Sequence, residues 1–123
     1  MTAINVKRIY SPAEDTDGFR ILVDRLWPRG VTKEKAALNL WLKDIAPSNE
    51  LRQQFHASNS PDKWSSFKAA YLVELKQNPA VAQLAGIVRE NSQVTLLYSV
   101  NNEEHNHALL LRDYIIRLVQ LKN

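Results

Sequence analysis

Short apolar runs, each closed by a polar cluster, alternate along this chain with longer stretches in which apolar residues recur every three or four positions. The first run, Ile4 to Tyr10, carries β-branched and aromatic residues in partial alternation and reads as a strand. Ser11 to Gly18 is turn-rich and acidic; it ends in Asp17-Gly18, a pair suited to positive φ, and predicts a loop. Phe19 to Asp24 is nearly continuous in apolar residues, the pattern of a strand covered on both faces. A third run, Val94 to Ser99, has the same character.

Between these runs the period changes. Thr32 is placed to cap a short helical turn over 33–36, and Pro47-Ser48 ends an ambiguous alternating stretch, Leu38 to Ile45, that reads as a strand or extended edge. Ser48 then caps a helix over 49–55, with Glu50 near the positive end of its dipole. Ser60-Pro61 is another start signal, after which Trp64, Phe67, Tyr71 and Leu75 fall on one helical face. Asn78-Pro79 opens a helix whose inner stripe is Val81, Leu84, Ala85 and Val88, ended by Asn91-Ser92. From about residue 102 to 121, Leu111, Ile115, Leu118 and Val119 face a core, while Arg112, Asp113, Arg117 and Gln120 form a narrow polar side.

Strands interleaved with helices in this way predict an α/β fold: one small domain over residues 1–123, with a short, mainly parallel sheet and helices on its faces. No repeat, linker or low-complexity tract divides the chain. A length of 123 residues suffices to bury roughly two-thirds of the unfolded surface without a disulfide or a metal. The absence of Cys removes thiolate catalysis and Cys-ligated zinc, and fits a reducing compartment. No window approaches the ~20 apolar residues of a membrane span, and Met1 to Arg8 holds no long apolar segment of a secretory signal. A cytoplasmic protein with no membrane partner is expected.

A net charge of +3 is mildly basic, and the basic residues are scattered rather than gathered into the stripe usual in nucleic-acid-binding domains. Position therefore carries more information than total charge. In open α/β sheets, ligands gather beyond the carboxyl ends of strands, where loops and helix N-termini present unpaired amide donors. Two runs here end in polar clusters: Asp24-Arg25-Leu26-Trp27-Pro28-Arg29-Gly30, and Tyr98 through His107. Parallel strands would put both on one rim, facing each other across a cleft; an antiparallel hairpin would not.

Arg25 and Arg29 suit a carboxylate or phosphate in fork geometry, with Lys43 and Arg52 as further cations; the competing reading pairs Arg25 internally with Asp24 or Glu50. Trp27 serves equally as a stacking wall or as a plug on the core. His107 shares a helical side with Leu111, Tyr114 and Leu118. It is either a half-buried structural histidine or a proton donor and acceptor near neutral pH, oriented by Asp24 or Glu104, with Tyr98 or Ser99 adding a hydroxyl. His105 is turned elsewhere, and His56 is the remaining histidine, so a metal site is not expected. Ser99, His107 and Asp24 make up a Ser-His-Asp set in composition, but Ser99 lies in no G-x-S-x-G elbow. The three glycines are isolated, so no phosphate loop or dinucleotide fingerprint is present and no cofactor is expected.

The run Asp17 to Gly30, with Trp41-Leu42-Lys43-Asp44-Ile45-Ala46-Pro47-Ser48, Leu51-Arg52, Phe55, Leu96-Leu97-Tyr98 and Asn106-His107-Ala108, resembles the YeaO-like branch of the domain-of-unknown-function 488 family. The resemblance covers essentially the whole chain, and Asp-Arg-Leu-Trp-Pro-Arg-Gly is its most specific signature. It implies a small α/β domain, bacterial in character, without an established activity. It also implies that Asp24, Arg25, Trp27, Arg29, Lys43, Ser48, Arg52, Tyr98, Asn106 and His107 are the positions that matter. Relatives often read Tyr-Ala-Ala or Tyr-Ser-Ala and then a charged residue, where this chain has Tyr98-Ser99-Val100-Asn101. Some relatives carry a MarR-type regulator label, yet no winged-helix pattern with a basic recognition helix is visible here.

The expectation is a domain binding a small phosphate or carboxylate at the strand rim through Arg25, Trp27, Arg29, Lys43, Ser48, Arg52 and Asn106. An enzyme would use His107, Asp24 and Tyr98 for acid-base chemistry on that ligand. The alternatives are a nucleic-acid or regulatory module, with Arg25, Arg29, Lys33, Lys35 and Lys43 tracking phosphates, and a protein-interaction domain built on Trp27 and Trp41. The oligomeric state is open.

Overall fold

The computed structural model describes residues 2–57 and 63–121. The Ser60-Pro61 start signal and the side chains of Phe55 and His56 lie outside them. Four strands, β1 (Ala3–Arg8), β2 (Phe19–Leu22), β3 (Leu40–Trp41) and β4 (Gln93–Tyr98), form one sheet in the order β1-β4-β2-β3. Every pairing is parallel: Ala3 faces Gln93, Phe19 faces Val94, and Ile21 faces Leu40. β1 and β2 flank β4 and do not form a hairpin, which meets the condition for a shared rim.

β4 lies inside the sheet and is buried from Val94 to Tyr98; its one polar residue in that span, Thr95, donates its hydroxyl to the Asp17 carbonyl at 2.7 Å. Val94, Leu96 and Tyr98 enter one core together with Ile21 and Val23, while Leu97 and Leu22 enter a second on the opposite side. The larger core is covered by α2 (Asn49–Ala57), α3 (Lys63–Lys76), α4 (Ala80–Glu90) and α5 (His107–Leu121). The smaller core, with Ile9, Val31 and Ala36, is closed by the single-turn helix α1 (Lys33–Ala36) and by Trp27 and Trp41 packed edge to face. Helices therefore cover both faces, as expected of an apolar parallel sheet. Among the described residues, no helix is long and apolar enough to cross a membrane.

The local signals work mostly as anticipated. Thr32 accepts the Lys35 amide at the start of α1, Ser48 accepts the Leu51 amide in α2, and Asn78 accepts the Ala80 amide before α4. Gly18 takes φ 65°, and a Cβ there would lie 2.3 Å from the Gln93 carbonyl oxygen. The loop between β1 and β2 thus passes against the start of β4, where only glycine fits.

Strand and helix ends shift by one or two residues from expectation, β1 to Ala3–Arg8, β2 to Phe19–Leu22, β4 to Gln93–Tyr98 and α2 to Ala57, and two stretches differ further. The alternating stretch 38–45 keeps only Leu40–Trp41 as strand, and Lys43–Ile45 winds into a 3-10 turn. That turn is held from outside, by Tyr71 donating to the Ile45 carbonyl at 2.7 Å and the Asn78 amide donating to the Asp44 carbonyl at 2.8 Å. The last helix begins at His107, because residues 102–106 form a turn: Asn102 Oδ1 accepts the amides of Glu104 and His105.

One buried ionic cluster stands apart from the rim. Arg20, 4% exposed, pairs with Asp17 and donates to the Ala36 and Ala37 carbonyls that end α1; Lys7 adds a second contact to Asp17 at 3.1 Å. Arg20 lies within an apolar strand run, and its role is to close the C-terminus of α1, where Ala37 turns left-handed at φ 48°.

Candidate functional site

β2 leads on toward β3 at one edge of the sheet, and β4 leads into α5, which packs over β1 and β4. The two exits diverge, and a crevice opens between neighbouring strand ends for that reason. It is a cleft of about 850 Å³, bounded by Asp24 to Arg29, by Ser99 to Asn102, by His105 to His107, by Ala46, Pro47 and Arg52, and by Lys63, Trp64 and Phe67 at the start of α3. Both polar clusters picked out in the sequence therefore meet in one hollow.

Its floor is a three-residue relay. Asp24, 8% exposed, accepts the Ser99 amide at 2.9 Å and the Ser99 hydroxyl, both on Oδ2. Its other oxygen, Oδ1, is buried without a hydrogen bond and lies 3.3 Å from His107 Nε2. That nitrogen donates to the Val23 carbonyl at 2.8 Å, which places the ring proton on Nε2 and leaves Nδ1 as an acceptor. Burial pushes the His107 imidazole below its ordinary value; the Asp24 carboxylate and the Val23 carbonyl pull upward without overcoming it, so the ring is neutral at neutral pH. Ser99, Asp24 and His107 do meet, but with the carboxylate in the middle. In a hydrolytic triad the imidazole is central and takes the hydroxyl proton; here the hydroxyl is bound to the carboxylate.

The same contacts lock the rim. Val23 donates to the Leu97 carbonyl, the Trp41 indole donates to the Asp24 carbonyl at 2.7 Å, and Arg8 donates to the Ser99 and Val100 carbonyls. Asn106 is a helix cap: its Oδ1 accepts the Leu109 amide and its amide donates to the Asn102 carbonyl.

The walls are cationic and aromatic. Arg25, Arg29, Arg52 and Lys63 line the cleft, and among the described residues its one carboxylate is that of Asp24, which is turned inward. Arg25 pairs with neither Asp24 nor Glu50; it donates to the Ala46 and Pro47 carbonyls and braces the loop before α2. Arg52 donates weakly to Asn49 at 3.3 Å, and the exposed Arg29 side chain has no hydrogen bond or ion pair among the described residues. Trp27 lines the cleft and closes the smaller core at once, its indole donating to the Val31 carbonyl.

Three anticipated positions lie elsewhere. Tyr98 is buried in the larger core, where burial and then the Glu103 carboxylate raise its phenol, and it does not line the cleft. Lys43 sits over the Trp41 ring at 5.3 Å, outside the cleft. Ser48 is a cap tied to Glu74 by its hydroxyl at 2.6 Å and its amide at 2.9 Å. Conversely, Lys63, Trp64 and Phe67 line the cleft although the sequence placed those aromatic rings on an inner helical face. The signal was the extension of that face to the very start of α3, beyond the sheet. His105, turned away from His107, stacks on Trp64 at 4.7 Å and joins the same wall.

The sequence pattern of the DUF488-N3i family, described as the inactive DUF488-N3 subclade, matches residues 3–123. The chain belongs to this family. Among its relatives is the uncharacterised protein YeaO of Escherichia coli, 46% identical over 112 residues that span 91% of this chain and 96% of YeaO. The uncharacterised proteins Rv3073c of Mycobacterium tuberculosis and Mb3100c of Mycobacterium bovis are each 36% identical over 110 residues, 89% of this chain and 91% of theirs. No solved structure matches it. The run Asp24 to Gly30 supplies the inward carboxylate, the bracing Arg25, the Trp27 wall and the outward Arg29 of one cleft wall.

Proposed function

We propose that this chain binds a small organic anion, a phosphate or a carboxylate, in the rim cleft and holds it without converting it. The observation that carries the reading is the charge arrangement: Arg25, Arg29 and Arg52 line a concave site in which, among the described residues, the one carboxylate is Asp24, buried and occupied by Ser99. A concave, partly apolar wall strengthens each charge contact relative to open water. Arg29 and Arg52 receive the anion, Arg25 fixes the floor beneath it, and His107 Nδ1 accepts a proton-bearing group of the ligand.

Binding without turnover fits the same geometry. The Ser99 hydroxyl is engaged by a carboxylate, the His107 proton by a backbone carbonyl, and Tyr98 lies in the core. None of them stands as a nucleophile beside a general base. The description of the family as an inactive subclade agrees with this. The test is calorimetric titration with inorganic phosphate and acetate. Saturable binding that weakens several-fold in Arg29→Gln and Arg52→Gln supports the reading, and no saturable binding of either anion overturns it.

A further inference from the structure

The rim cleft is far larger than an inorganic anion requires. A volume of about 850 Å³ lies within the range of sites that enclose a whole organic ligand, on the order of 300–1,000 Å³. One of its walls is built of stacked rings. Phe67, buried, stacks on Trp64 at 5.7 Å with 18° between the planes, and Trp64 stacks on His105 at 4.7 Å with 17°. Three nearly parallel rings thus climb from the core to an exposed imidazole at the cleft wall. The imidazole is set there by its own backbone, since the His105 amide is held by Asn102.

We infer that the ligand is an anion carrying a flat ring, with its charged head toward Arg29 and Arg52 and its ring stacked on the Trp64–His105 wall. The inference rests on the anion-binding reading and deepens it by naming the ligand class. The exposed end of such a ladder, the His105 ring, offers a flat stacking surface, and cationic neighbours favour a ligand that carries negative charge. A bare phosphate makes no use of the exposed His105 ring at the end of this ladder.

Matched pairs of probes test it: phenyl phosphate against methyl phosphate, and benzoate against acetate, each titrated calorimetrically. The ring is expected to tighten binding at least about tenfold in one pair or both, the usual effect of one aromatic stack. The pair with the higher affinity identifies the head group. His105→Ala and Trp64→Leu should remove most of the ring's gain while leaving methyl phosphate and acetate affinities unchanged; Trp64→Phe, which keeps a ring on Phe67, should retain part of it. Equal affinities within both pairs, with Arg29→Gln still weakening all four probes, would overturn the ring site and leave the anion site standing. A ring gain untouched by either wall variant would overturn the location. Failure of all four probes to bind would overturn both readings.

Discussion

Replacing Ser99 by Ala removes one hydroxyl and tests whether the Asp24 carboxylate is a buried charge held by the fold. In the native protein Asp24 Oδ2 takes two donors from Ser99, the amide at 2.9 Å and the hydroxyl, while Oδ1 has none and faces a neutral imidazole at 3.3 Å. The variant leaves a nine-tenths-buried carboxylate with a single hydrogen bond. Hydrogen bonds to charged groups contribute about 1.5–3 kcal/mol, and the upper half of that range applies because no water replaces the lost donor at a buried oxygen. For a chain of this size, about 3–5 °C of Tm accompanies each kcal/mol, so a drop of roughly 7–15 °C is expected. Urea denaturation followed by tryptophan fluorescence at pH 7.5 measures it directly. In an Asp24→Asn background the same substitution should cost only about 0.5–1 kcal/mol, since a neutral acceptor needs its donors less. A loss under about 0.5 kcal/mol in the wild-type background, or equal losses in both, would show that water solvates the carboxylate and that the relay is not closed.

Other substitutions separate the parts of the fold. Gly18→Ala should cost more than about 2 kcal/mol by denaturation, because positive φ and a 2.3 Å approach to the Gln93 carbonyl act together; Gly30→Ala, at φ 72° with open space around it, should cost about 1 kcal/mol. Arg20→Met should cost about 3 kcal/mol or more, since Asp17 loses a buried partner and two carbonyls at the end of α1 lose their donor. His107 is neutral when folded and takes up a proton below about pH 6.5 when unfolded, so its contribution is complete above that pH and declines as the pH falls toward the depressed folded value. Denaturation at a series of pH values should show a slope in that window of up to about 1.4 kcal/mol per pH unit, smaller in His107→Gln; equal slopes in the two proteins would refute a neutral buried imidazole.

Much of the fold is written locally. Asp17-Gly18 announced its positive φ, Thr32 and Ser48 announced their helices, and the nearly continuous apolar runs of β2 and β4 announced a sheet covered on both faces. Parallel pairing then brought Asp24 and His107 together from positions far apart in the chain. The parts that were not legible depend on distant partners. Lys43–Ile45 continues an alternating pattern but is bent by Tyr71 of α3 and Asn78 of the turn before α4. Arg20 has a hydrophobic context in sequence, and only the folded chain supplies Asp17 and the end of α1 beside it. The residue types of the relay were evident, but their order was not, because it is fixed by which oxygen of Asp24 faces β4 and which faces α5. Trp64 and Phe67 do pack on the larger core as their spacing predicts; that they also line the cleft was not legible, because periodicity shows which face of a helix is apolar and not what else that face borders.

The most direct measurement is an amide NMR titration of the isotopically labelled chain with inorganic phosphate and, separately, phenyl phosphate. Saturating shifts gathered on Arg25 to Gly30, Asn101 to His107 and Arg52, absent in Arg29→Gln, are what the cleft predicts. Shifts that do not saturate, or that gather instead around Lys33 and Lys35 on α1, would contradict it.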